Sequence, residues 1–208
     1  MDAQLTFFSP IDGVRLYYEW WMPPSPKAIL VVVHGVGEHS GRYGPLLRYF
    51  GERGFGLAIY DQRGHGHSSG RRGHVEHFQD LLGDLAHFVQ MLRERYPAVP
   101  LFLVGHSLGG QVVLNFVVRY AKGLRGIVCS SPSVQLAVPV RSWKQRLIQT
   151  MYRWVPTARV GQQIRAEDLS HDPEVVRRDP AQHGVGNGNG LADPSADVFP
   201  GGGGGLPV

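Results

Sequence analysis

The spacing of apolar positions changes character several times along this chain, and each change marks an element. Residues 28–33, "AILVVV", are continuously apolar, as a strand covered on both faces should be. "LTFFS" and "VRLYYEWW" flank the turn "PIDG" and predict an N-terminal β-hairpin. A short helical signal in "RYGPLLRYFGERG" precedes the strand "GFGLAIY". In "HFQDLLGDLAHFVQMLRERY" the apolar residues Phe78, Leu81, Leu82, Leu85, Phe88, Val89 and Leu92 fall on one helical stripe, which Pro97 ends. Then come the strand "PLFLV", the helix "SLGGQVVLNFVVRYAKG" and the strand "LRGIVCS". Strand and helix alternating through short links predict an α/β fold, a mostly parallel sheet with helices on both faces.

Beyond Pro132 the pattern breaks. The segment "RSWKQRLIQTMYRWV" aligns Trp143, Leu147, Met151, Trp154 and Val155 on one helical face and carries Arg141, Lys144, Arg146 and Arg153 elsewhere. Such a basic amphipathic helix either packs on its own domain, lies on a membrane or covers an apolar pocket. Residues 184–208 hold 9 of the 28 glycines and 3 prolines, too little apolar surface to offset ordering entropy. The expected organisation is a core over 1–132, a cap or lid over 133–183 and a disordered Gly/Pro-rich tail over 184–208.

Composition narrows the function classes. At 208 residues, 42% hydrophobic and 18% charged, the chain has an ordinary globular balance and fits one domain. The net charge of +4 is spread without a Lys/Arg block, which argues against a nucleic-acid partner. A lone cysteine, Cys129, excludes an internal disulfide and sits in the apolar "GIVCSS", so it reads as a buried structural thiol. The start, "MDAQLTFFSP", has neither the basic opening nor the apolar core of a secretory signal, and the expected location is cytoplasmic.

The chemistry centres on residues 105–110, "GHSLGG", set between the strand "PLFLV" and the helix "QVVLNFVV". In G-x-S-x-G at such a junction the serine stands on a tight turn and lifts its hydroxyl above the sheet edge. That geometry makes Ser107 a nucleophile, with Gly105 and Gly109 demanded by the close approach of neighbouring backbone. The Leu108 N–H points to where an oxyanion would form, at the positive end of a helix. A second donor is expected from the loop after "AILVVV", where His34 and Gly35 turn the chain and present the Val36 N–H. His34 is expected to hold that loop rather than act as a base, and His106 to face away from Ser107.

These motifs, with "HGVGEHSGRY", "DQRGHGHSSGRRG", "SSP" and "DLSHDPEVVRRDP", resemble the monoacylglycerol lipase and lysophospholipase group of α/β-hydrolases over about residues 4–180. The resemblance implies hydrolysis of carboxylic esters through an acyl-enzyme on Ser107, with an oxyanion hole from Val36 and Leu108. It implies an acyl ester or lipid as substrate, no cofactor, and a cap that meets acyl chains and touches membranes peripherally. Asp61 and Arg63, in the family's loop after the fourth strand, are then bracing residues. His65, His67, His74 and His77 lack accompanying carboxylate or cysteine ligands at zinc-like spacing, so no metal is expected.

The order of the triad in this fold is Ser, then Asp or Glu, then His, on loops after two further strands. Downstream of Ser107 stand Glu167, Asp168, Asp172, Glu174, Asp179, Asp193 and Asp197, with His171 and His183, and none follows a buried apolar run. The expectation is a C-terminally incomplete hydrolase, its tail translated in a shifted frame or a gene-prediction artefact, with impaired turnover, an open sheet edge and a tendency to aggregate. Two alternatives stay open: a non-catalytic acyl-ligand-binding remnant, and a dinucleotide-binding protein read from "GVGEHSG", in which Ser40 replaces the third glycine.

Overall fold

A computed structural model describes residues 6–10, 12–120 and 122–134. The expected cap from residue 135 onward, including the Trp143 helix, and the Gly/Pro-rich tail lie outside the described residues.

Six strands form one sheet: β1 (Phe7–Phe8), β2 (Leu16–Trp21), β3 (Ile29–Val33), β4 (Gly56–Tyr60), β5 (Leu101–His106) and β6 (Gly126–Ser130), in the spatial order β1-β2-β4-β3-β5-β6. β1, β2 and β4 pair antiparallel, whereas β4, β3, β5 and β6 run parallel. The helices are α1 (Gly44–Gly51), α2 (Phe78–Arg95) and α3 (Leu108–Tyr120), with a 3-10 turn over Ser40–Tyr43 leading into α1.

The apolar patterns account for these positions. All five residues of β3 and all five of β4 are buried, as central strands with covered faces require. Each such Val, Ile or Leu contributes about 1.5–3 kcal/mol by leaving water. From α2, the residues Leu81, Leu82, Leu85, Phe88, Val89 and Leu92 enter the same core as Val31, Val33, Leu103, Val112 and Phe116. His77 caps α2 at its N-terminus and exchanges hydrogen bonds with Asp80 three residues on. β6 is less covered: Ile127 and Val128 are exposed, and it ends the sheet among the described strands. Cys129, expected to be buried, is partly exposed, with its Sγ 3.8 Å from the Gly110 carbonyl oxygen.

One charged residue interrupts the buried stripe of α2. Asp84 is 1% exposed and receives Arg63 Nε at 2.7 Å and Nη2 at 2.6 Å, a bidentate pair. Arg63 also reaches Asp12 at 2.8 Å through Nη1. The loop after β4 is thereby tied to α2 and to the chain before β2. Arg63 keeps Asp12 and Asp80 if Asp84 is removed, but removing Arg63 strands the buried Asp84 carboxylate in a medium that solvates it poorly. Arg63→Ala is therefore expected to lower the unfolding free energy by about 3 kcal/mol, measured by urea titration. A loss below about 0.5 kcal/mol would mean the pair is solvated after all.

Candidate active site

The site is built by register. Parallel pairing of β3 with β5 sets Val33 opposite Gly105, so the chain leaving β3 at His34 and Gly35 comes level with His106 and Ser107. On the other side of β5, His106 pairs with Ser130 of β6, and the Ser107 N–H donates to the Ser130 carbonyl at 3.0 Å. Ser107 itself has φ +51°, in the left-handed region, between the end of β5 and the start of α3. A non-glycine residue there carries backbone strain, which the surrounding contacts must hold.

Those contacts leave no room for side chains around the turn. A Cβ at Gly109 would collide with the Val33 carbonyl oxygen and crowd that of His34. A Cβ at Gly105 would lie 2.5 Å from the Gly109 carbonyl oxygen and 2.7 Å from Gly110 Cα. The demand for glycine at 105 and 109 is thus one of space between backbones. Gly35 is close too: a Cβ there would stand 3.2 Å from Ser107 Cβ.

His34 is fully buried. Its Nε2 accepts the Gln62 backbone N–H at 2.9 Å, which leaves the ring proton on Nδ1, donated to the Gly35 carbonyl at 2.7 Å. Gln62 Nε2 donates to the His34 carbonyl at 2.6 Å. Burial, and next the neighbouring His65, push the His34 pKa down to about 4, against the pull of the Gly35 bond, Asp61 and Glu38. Glu38 accepts the Gly35 N–H at 2.7 Å and the Tyr43 hydroxyl at 2.9 Å. Burial raises the Glu38 carboxyl pKa, but these donors and Arg42 outweigh it and hold it below the usual value. In the loop read above as a weak dinucleotide fingerprint, the Gly35 amide therefore meets a carboxylate, where a phosphate would need it free.

Asp61 accepts the Ser40 N–H at 2.6 Å and the His67 N–H at 2.8 Å, so it joins two loops. Among the described residues no cluster of His, Cys, Asp and Glu is placed to hold a metal ion. Ser107 Oγ lies 3.2 Å from Ser133 Oγ, and no histidine nitrogen hydrogen-bonds to it among the described residues. The Val36 N–H has no acceptor among the described residues, and that of Leu108, first in α3, has none within its helix. Glu167, Asp168, Asp172, Glu174, Asp179, Asp193, Asp197, His171 and His183 lie outside the described residues. Gln62, Glu38 and Ser133 were not singled out from the sequence, although the first two stand inside motifs quoted above.

A family model described as "Serine aminopeptidase, S33" matches residues 24–191. The chain belongs to this hydrolase family. It is 32% identical over 180 residues to a monoacylglycerol lipase of Mycolicibacterium smegmatis, covering 85% of this chain and 64% of that one. It is 38% identical over 126 residues to the monoglyceride lipase of Homo sapiens, covering 59% and 41%. The crystal structure of the Paleococcus ferrophilus monoacylglycerol lipase superposes with a TM-score of 0.68 at 32% identity, over 78% of this chain and 61% of that one. The fold is the α/β-hydrolase fold, and the chain spans less than two thirds of each of these relatives. Among the described residues no helix is long and apolar enough to cross a membrane.

Two outcomes follow from this geometry. Gly109→Ala should lose about 3 kcal/mol, or fail to fold, because its methyl meets fixed backbone. Gly83→Ala, in α2 with nothing within 4 Å of the new Cβ, should gain up to about 1 kcal/mol. Thermal melts of both variants check the contrast. A buried neutral histidine also makes stability depend on pH with a definite sign. The unfolded chain binds a proton at His34 near the ordinary 6.5 and the folded chain only near 4, so this contribution is complete above 6.5 and declines as pH falls from 6.5 towards 4. The 15N shifts of the His34 ring should report the neutral Nδ1–H form throughout pH 5–8, and a midpoint near 6.5 would contradict its burial.

Proposed function

We propose that this chain carries the nucleophile and oxyanion hole of a serine hydrolase of carboxylic esters, of monoacylglycerol lipase or lysophospholipase type. The observation that carries the reading is the strained Ser107 turn set level with Gly35, beside a Val36 N–H that has no acceptor among the described residues and a Leu108 N–H that has none within its helix. In the acylation step Ser107 Oγ bonds to the acyl carbon, the ester C–O bond breaks, and the serine proton ends on the departing alcohol. Water then reverses the sequence and releases the acid. Negative charge on the former carbonyl oxygen falls to the Val36 and Leu108 amides, each worth about 10²–10³ in turnover. His34, Gly35, Gly105 and Gly109 hold this geometry and touch no reacting atom.

The proton transfers need a base, and the Ser133 hydroxyl beside Oγ cannot serve as one at neutral pH. A serine with no base in reach would turn over weakly, since removing a triad member leaves about 10³–10⁴ over water. An acyl ester as substrate, the cap over 133–183 as the part that meets acyl chains and membrane, and a cytoplasmic setting belong to the same reading.

A long-chain alkyl fluorophosphonate tests it. Slow covalent labelling, faster as pH rises and abolished in Ser107→Ala, is expected, together with little hydrolysis of p-nitrophenyl butyrate. Label on another residue, or none at any pH, would sink the nucleophile assignment, and acyl-ligand binding without labelling would favour the non-catalytic alternative. Robust turnover lost in Ser107→Ala would keep the serine and remove the impairment.

A further inference from the structure

The oxyanion donor at Val36 sits in an exposed loop, and a donor is useful only if it is held in place before charge develops. Its direction is not set by Val36 itself. The Val36 N–H and the Gly35 carbonyl belong to one planar trans peptide, so fixing the carbonyl aims the N–H the opposite way. The Gly35 carbonyl is held by His34 Nδ1–H at 2.7 Å. What holds His34 is Gln62. Its backbone N–H occupies His34 Nε2 at 2.9 Å and so selects the tautomer, while its side-chain Nε2 grips the His34 carbonyl at 2.6 Å.

Gln62 is fully buried at the exit of β4, and its Oε1 has no partner among the described residues. An apolar side chain would fill that space without leaving an orphaned acceptor. The short bond of the Gln62 amide is the one to the His34 carbonyl, and the same Nε2 stands 3.5 Å from His34 Nδ1, whose proton goes to the Gly35 carbonyl. A Cβ at Gly109 would collide first with the Val33 carbonyl oxygen and would also stand 2.6 Å from that of His34, so the α3 backbone passes close to this carbonyl. The His34 carbonyl thus lies between the loop after β4 and the turn that carries Ser107, and Gln62 supplies its side-chain bond.

We propose that the Gln62 side-chain amide is a positioning residue for the oxyanion hole, acting through His34 and the Gly35–Val36 peptide on charge that develops beside Ser107. The assignment rests on the reading of Val36 and Ser107 given under Proposed function. Without the amide the His34 carbonyl would lose its 2.6 Å side-chain bond, and an error of about 1 Å in a donor costs about 10²-fold in rate.

The test compares wild type, Gln62→Met and Gln62→Glu at full length. Labelling by the alkyl fluorophosphonate is separated into non-covalent affinity and covalent rate, and the 15N–1H resonances of Gly35 and Val36 are recorded. Gln62→Met should lose about ten- to a hundredfold in covalent rate with non-covalent affinity unchanged, and should shift the Val36 resonance. Gln62→Glu carries a donor only when its buried carboxyl is protonated, so its rate relative to Gln62→Met should rise as pH falls. The neighbouring titratable groups are His34 in contact, His65 with its ring 5.3 Å from that of His34, the adjacent Asp61, and Glu38, which acts on His34. The new carboxyl couples to His34, so the His34 ring 15N shifts are recorded in both variants to separate the two titrations.

An unchanged covalent rate in Gln62→Met would overturn the assignment. So would an equal fall in rate and affinity, or a flat Gln62→Glu to Gln62→Met ratio, because either describes general loosening. If Gln62→Met does not fold, the ratio of Gln62→Glu to wild type against pH decides in the same way. If wild type itself is not labelled, the nucleophile reading has failed, and an unmoved Val36 resonance in Gln62→Met separately refutes the positioning role.

Discussion

Where α3 begins, two backbones touch with nothing between them. Gly109 lies so close to the carbonyls that end β3 that even a methyl group does not fit. This contact fixes the distance between the turn bearing Ser107 and the loop bearing Gly35 and Val36, which come from different strands. The parallel register supplies the level, Val33 against Gly105, and the missing side chains supply the depth. The left-handed backbone at Ser107 is a consequence, since the chain must reverse from strand to helix within that space.

The charged and imidazole groups that hold these loops are neutral with their bonds made or charged with a partner in place, whereas Gln62 Oε1, His65 Nε2 and the Tyr60 hydroxyl have no partner among the described residues. His34 is kept neutral by burial and saturated at both ring nitrogens. Asp84 meets Arg63 through two bonds, and Glu38 meets a main-chain N–H and a phenol. Unpaired, any of these would cost more than its bonds contribute, because desolvation acts in full while a made hydrogen bond nets only about 1 kcal/mol. The loops after β3 and β4 are tied to each other by such bonds.

Much of the fold was legible because its signals are local. Six apolar residues in "AILVVV" could only be a covered strand, and the stripe from Phe78 to Leu92 could only be one helix face. G-x-S-x-G was readable because strand, turn and helix are contiguous there. The bonds of Asp84 and Gln62 were not, since each partner stands 21 or 28 residues away and no periodicity announces it. Asp84 even interrupts a stripe that otherwise reads as apolar. Strand ends were also approximate: β5 runs to His106, two residues past the apolar run that predicts it, because its pairing with β6 continues to Ser130.

The supports of the proposed oxyanion hole share a further property. Gly109, His34, Gly35, Glu38 and Gln62 all fall between β3 and the start of α3, and every bond among them closes within that stretch. The part of the site that would stabilise negative charge is thus assembled by three adjacent parallel strands and one helix. Proton transfer makes a different demand. It needs a group that changes charge during the reaction, and the neutral His34, locked by two bonds and pushed down to about 4, is unsuited to that. An arrangement that keeps the charge-stabilising amides rigid therefore has to place its base on another element, where an imidazole can gain and lose a proton without breaking the loop that holds those amides.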